Sequence, residues 1–180
     1  MNRRRLQLVL GFGVAMLLAA VGVAVAGGGQ TNVRETLTGY EEIPTLSTPG
    51  NGSFEARISR FSDRIDYELS YADTESAVTQ AHIHLGARAF NGGISAFLCT
   101  NLGNGPEGTP ACPPAPATVT GTIEPEDVVG PADQGIAPGE FDELVDAIRA
   151  GATYANVHTT GRPGGEIRAQ LDERGRHGDD

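Results

Sequence analysis

Two of the four histidines in this chain lie one residue apart, in Ala81-His82-Ile83-His84. On an extended strand, residues two apart project to the same side, about 7 Å apart along the chain. His82 and His84 therefore share a face, while Ala81, Ile83 and Leu85 point to the other, core-facing side. Neutral imidazoles bind zinc or copper, with metal–nitrogen distances of about 2.0–2.1 Å. Two ligands seldom hold an ion against water, so a third is required. His158, in Tyr154-Ala155-Asn156-Val157-His158, is the candidate, and Glu166 and Asn156 are further ligand or supporting positions. His177 sits in a polar C-terminal stretch and is a poor ligand. The competing reading has these side chains hydrogen-bonding across neighbouring strands without any ion, with Glu166 paired to Arg88 or Arg168.

Other reactive arrangements are absent. The sequence contains no G-x-S-x-G, no H-E-x-x-H and no phosphate-binding loop, so no catalytic residue is assigned. Cys99 and Cys112 are the only cysteines, and they bracket a Gly-, Pro- and Asn-rich stretch. Their separation lacks the close C-x-x-C spacing of redox pairs. A disulfide is expected, closing a loop of about 14 residues and contributing roughly 3 kcal/mol in the chain-entropy model.

The elements that must carry these residues are short and alternate with period two. Phe54, Ala56 and Ile58 fall on one face against Ser53, Glu55 and Arg57; Ile65, Tyr67, Leu69 and Tyr71 oppose Asp66, Glu68 and Ser70. That is the pattern of half-buried antiparallel strands. Strands are predicted at 33–37, 52–58, 65–71, 78–85, 94–99, 119–123, 154–158 and 166–171. Segment 59–63 reads as a tight hairpin connection, and Asn51-Gly52, Asn91-Gly92 and 161–165 as turns. About eight strands at this spacing predict an all-β fold, a Greek-key-like antiparallel sandwich with one short helix. The helix is predicted at 140–150, where Phe141, Leu144, Val145 and Ile148 form one stripe, acids open the first turn and Gly151 closes the last.

The N-terminus sets the compartment. Arg3-Arg4-Arg5 precede an apolar run that ends in Ala24-Val25-Ala26, the layout of a secretory signal over residues 1–26. The run is long enough to serve instead as an uncleaved anchor. Both arrangements export the remaining residues to a secreted, periplasmic or cell-surface location, where a disulfide is stable. The organisation is then residues 1–26 as signal, 27–35 as linker and entry to the first strand, 36–171 as the domain, and 172–180 as a flexible polar tail. The whole chain carries a formal charge of −10. The first 26 residues hold three arginines and no acid, so the exported part reaches about −13. Such a surface repels phosphate backbones and anionic lipid, which excludes nucleic acid and leaves contact with a membrane only to the N-terminal segment.

Four blocks carry a resemblance: "LTGYEEIPT", "AHIHLGARAFNGG", "GTIEPEDVVGP" and "YANVHTTGRPGGEIRAQL". Together, over residues 36–171, they resemble the CHRD domain, the module named from chordin and found in exported bacterial proteins. The A-H-I-H, N-V-H-T and P-x-G-E-I-R patterns of that family match 81–84, 156–159 and 163–168, while Ala169 stands where a glycine is common. The resemblance implies a β-sandwich and leaves the molecular activity open; chordin's cysteine-rich growth-factor-binding modules have no counterpart here. A more distant similarity joins His82 and His84 to the copper-binding pair of Cu/Zn superoxide dismutase. That enzyme needs about four imidazoles at copper, whereas this domain has three outside the tail, so the similarity implies a copper- or zinc-like site more than turnover. The functional expectation is a non-enzymatic exported protein that binds one copper or zinc ion, or a protein partner, through its histidine face. The alternatives are a metalloenzyme of superoxide dismutase-like or hydrolytic type, and a purely structural extracellular module without metal.

Overall fold

The computed structural model describes residues 31–59, 61 and 63–172. The segment read as a signal or anchor, and His177 with most of the tail, lie outside the described residues. Eight strands are present: β1 (Thr31–Thr38), β2 (Asn51–Ile58), β3 (Ile65–Ala72), β4 (Val78–Leu85), β5 (Ile94–Thr100), β6 (Ala117–Ile123), β7 (Thr153–Thr159) and β8 (Ile167–Leu171). One helix, α1 (Phe141–Arg149), precedes β7. Among the described residues, no helix is long and apolar enough to cross a membrane.

All strand pairs are antiparallel, in the order β5-β4-β7-β8-β1-β2-β3-β6. β1, β2 and β3 form a meander because their alternating apolar faces are in register; Phe54, for example, is opposite Leu69. The sheet curls until its ends meet, giving the sandwich-like all-β architecture that the alternation predicts. The Tyr67 hydroxyl on β3 donates to the Leu98 carbonyl on β5 at 2.6 Å. A single bridge joins Ala96 to Val128, and the disulfide Cys99–Cys112 ties the end of β5 to the segment leading into β6. The enclosed core contains Leu37, Phe54, Leu69, Ile83, Leu98, Val157 and Ile167, all fully buried.

The helix buries Phe141, Leu144, Val145 and Ile148, the predicted stripe. Glu140 precedes it and accepts from the Ala137 amide at 2.7 Å, and Gly151 follows with φ 67°, a left-handed conformation that suits glycine. One expectation differs from the structure. Asn51-Gly52 is not a turn but the first two residues of β2, paired with Thr38 and Leu37 on one side and Ala72 and Tyr71 on the other. Glycine is needed there because a Cβ at position 52 would run into the Ser70 carbonyl and the Ile167 side chain. β1 begins at Thr31, two residues before the predicted strand, and pairs with β2 along its whole length. At the other end Asp172 lies against Gly151 and faces Arg88 at 3.7 Å.

β7 and β8 are buried along their whole length, on both faces. Their alternation survives: Ala155, Val157, Ile167 and Ala169 face the core, and Tyr154, Asn156, His158, Arg168 and Gln170 face the other way. That second face is roofed by two loops, 39–50 and 86–93. Arg88 bonds Glu41 at 2.8 Å and Asn91 bonds the Ile43 carbonyl at 3.4 Å, which fastens one loop to the other.

Candidate metal centre

Cross-strand register decides which side chains meet under that roof. On β4 and β7, His84 is opposite Tyr154, His82 opposite Asn156, and Gln80 opposite His158. His158 therefore lies diagonal to His82, within reach across the ladder. The three imidazoles converge: one ring nitrogen from each of His82, His84 and His158 lies within 4.8 Å of the other two. The ring centroids are 5.0 Å apart for His82 and His158, 5.3 Å for His82 and His84, and 5.8 Å for His84 and His158. All three residues are buried, with exposures of 0 %, 7 % and 6 % for His82, His84 and His158.

Hydrogen bonding sets the tautomers. His84 Nδ1 is 3.0 Å from the Gly92 carbonyl, and His158 Nδ1 is 3.0 Å from the Pro163 carbonyl. A carbonyl only accepts, so each Nδ1 carries the proton and donates it, and each Nε2 keeps a bare lone pair. His158 Nε2 faces His82 Nδ1 at 3.2 Å. His84 Nε2 and His82 Nε2 have no hydrogen-bond partner although both atoms are buried. Backbone acceptors behind the outer ring nitrogen are the support that metal-ligating histidines use to orient their rings. Two nitrogens bound to one ion at about 2.0 Å stand about 3.3–3.5 Å apart, close to the His82–His158 separation.

Electrostatics keep the cluster neutral. Burial pushes His82 down to about 2, with His158 and His84 adding to the shift. Burial likewise pushes His84 down to about 4, opposed by its bond to Gly92 and helped by the neighbouring His158 and the Arg168 charge. His158 is lowered by burial and partly restored by Pro163. Near pH 7 all three rings are unprotonated, the form in which imidazole coordinates metal.

Around the rings lies a second layer. The phenol ring of Tyr154 stacks parallel on His84 at 4.7 Å, and the Arg168 guanidinium sits 3.4 Å from the Tyr154 centroid. Arg168 donates to the Asn91 side chain at 3.1 Å and to the Phe90 carbonyl at 2.8 Å. Asn156 donates to Glu42 at 2.5 Å and to the Ile167 carbonyl at 3.0 Å. Burial raises the Glu42 carboxyl to about 7, against the opposing pull of Asn156 and Arg168. Asn156 thus anchors the roof beside the cluster. Glu166 is held elsewhere: its carboxylate accepts from Thr48 at 2.9 Å, the Glu75 amide at 2.7 Å and Thr159 at 2.7 Å. Neither Arg88 nor Arg168 is its hydrogen-bonding partner; Arg88 pairs with Glu41 and Asp172. Tyr154, Glu42 and the carbonyls of Gly92 and Pro163 escaped the residue-type reading. The period-two set Tyr154, Asn156, His158 was the signal available for the first, and main-chain carbonyls leave no mark in a sequence.

Neither the curated proteins nor the solved structures gave a match to this chain. The model of the CHRD domain matches residues 33–171, a span that holds all eight strands from the third residue of β1 onward and all three converging histidines. With the four sequence blocks now set on one curled sheet and its roof, the chain belongs to the CHRD domain family.

Proposed function

We propose that this protein is an exported, non-enzymatic metal-binding module that holds one copper or zinc ion between His82, His84 and His158. The observation that carries the reading is the set of buried imidazole lone pairs aimed at one another, two of them on rings whose opposite nitrogens are tied to backbone carbonyls. Each buried polar atom without a partner costs about 1–3 kcal/mol. A bound ion would satisfy the His84 Nε2 lone pair and take up the His158 Nε2 lone pair that faces His82. Burial of all three rings under the roof supports storage or transfer of the ion over turnover, since a catalytic metal keeps a coordination position open to substrate. Export is supported by the arginine-led apolar segment of residues 1–26 and by the disulfide.

The test is metal analysis of the protein purified without its first 26 residues, after loading with copper or zinc and desalting. One equivalent per chain is expected, lost in His158→Ala and retained in His177→Ala. Loading that is unchanged by His158→Ala overturns the reading.

A further inference from the structure

We infer that the histidine site is built for a monovalent soft ion, copper(I), in preference to zinc(II) or copper(II). The inference deepens the metal-site reading and rests on it. Three observations carry it.

The donor set holds no anion. Among the described residues, the cluster consists of three histidines alone. Both cysteines are consumed in the disulfide. The nearby carboxylates are engaged, Glu42 with Asn156 and Glu166 with Thr48, Thr159 and the Glu75 amide. An ion bound by three neutral imidazoles keeps its full charge. The cost of burying an ion grows with the square of its charge, so a divalent ion faces roughly four times the desolvation cost of a monovalent one.

The neighbouring fixed charge is positive. Arg168 lies 3.4 Å from the centre of Tyr154, which in turn stacks on His84 at 4.7 Å. Its guanidinium repels a doubly charged ion twice as strongly as a singly charged one at the same place. Arg168 donates to the neutral Asn91 side chain and the Phe90 carbonyl, while Glu42 accepts from Asn156.

The coordination number is low. Three nitrogens at about 2.0 Å complete a trigonal site, whereas zinc fills a fourth position with a ligand or water. Aromatic rings pack against two of the three ligands: Phe97 meets His82 edge-on at 4.5 Å, and Tyr154 stacks on His84 at 4.7 Å. Copper(I) accepts three-coordination and asks for no further ligand.

The experiment is competition on the mature protein, with copper(I) titrated anaerobically against bathocuproine disulfonate and zinc(II) against a chromogenic chelator. Copper(I) is expected to bind at one equivalent and at least about a hundredfold more tightly than zinc(II). X-ray absorption of the copper(I) form should show three nitrogen scatterers and no fourth ligand. Arg168→Met should narrow the gap by about tenfold through tighter zinc(II) binding. Circular dichroism checks that this variant folds, and if it does not, the comparison on the unmodified protein decides alone. Zinc(II) affinity equal to or above that of copper(I), or a four-coordinate copper site, overturns the inference while leaving the metal site in place. Failure of the unmodified protein to take up either ion removes the site itself.

Discussion

Which ring nitrogen carries the proton is the smallest decision in this molecule with a functional consequence. The Gly92 and Pro163 carbonyls place the proton on Nδ1 of His84 and His158 and leave a bare lone pair on each Nε2, that of His158 facing His82 Nδ1 at 3.2 Å. Protons compete for those lone pairs, so metal affinity should fall as pH drops below about 6.5, the ordinary range of imidazole titration. The depressed basicity of the buried rings moves the steepest loss to lower pH. Titration of metal occupancy from pH 8 to pH 3 checks this, and occupancy independent of pH over that range contradicts it. Asn156 makes a separable contribution. Asn156→Ala removes the donor to Glu42 and to the Ile167 carbonyl beside the cluster. It should destabilise the fold by about 1–3 kcal/mol while leaving three imidazoles able to bind.

At the scale of elements, the helix and the disulfide brace the curled sheet from different sides. Leu144 is fully buried in the α1 stripe. Leu144→Ala should cost about 2–5 kcal/mol, read from urea unfolding; a loss well under 1 kcal/mol would mean that the stripe is loosely packed. Replacing Cys99 and Cys112 together by serine should cost roughly 3 kcal/mol by releasing the loop that the bridge closes. The turn before β8 is equally constrained. Gly165 has φ 127°, and a Cβ there would fall 2.6 Å from Asn156 Nδ2 and 2.7 Å from Glu42 Oε1. Any side chain at 165 is strained and also wedges apart the bond that fastens the roof over the histidines.

For the whole molecule, the neutral histidine cluster shapes stability against pH in the metal-free state. The folded rings have lowered proton affinity, so their contribution is fully present above about 6.5 and is lost as pH falls toward the folded values. Glu42 acts in the opposite sense. Its carboxyl is raised from 4.5 to about 7, so its contribution is present below 4.5 and is lost as pH rises through 7. His82 and His84 alone outweigh the one carboxyl between pH 6.5 and 4.5, and the lowered His158 acts in the same sense. The metal-free protein should therefore lose stability on acidification below about 6.5. Urea melts at pH 7.5, 6 and 5 measure it, and a flat or rising profile in acid contradicts the assignment of neutral buried rings.

Much of this molecule could be read from its sequence, because the determining forces are local and periodic. Alternation with period two located all eight strands, and the i, i+3, i+4, i+7 stripe located the helix, since each pattern records which side of an element must leave water. The same periodicity put His82 and His84 on one face, and two cysteines bracketing a Gly- and Pro-rich stretch, behind a segment read as an export signal, pointed to the bridge. What periodicity cannot carry is pairing between distant strands. That β4 lies beside β7, with His158 diagonal to His82, is set by how the whole sheet curls to enclose one core. Asn51-Gly52 shows the limit at short range: its turn chemistry yields to a ladder in which glycine is needed for the close approach of neighbouring strands. The roof over the second face of β7 and β8 is likewise a tertiary product. Loops 39–50 and 86–93 cover Asn156 and Arg168 through contacts between residues far apart in sequence, while the turn before β8 holds His158 through the Pro163 carbonyl. Hydrophobic patterning marks the side of a strand that must be dry, but only the folded chain decides whether the polar side is dry as well, and at this site that burial makes the imidazoles neutral.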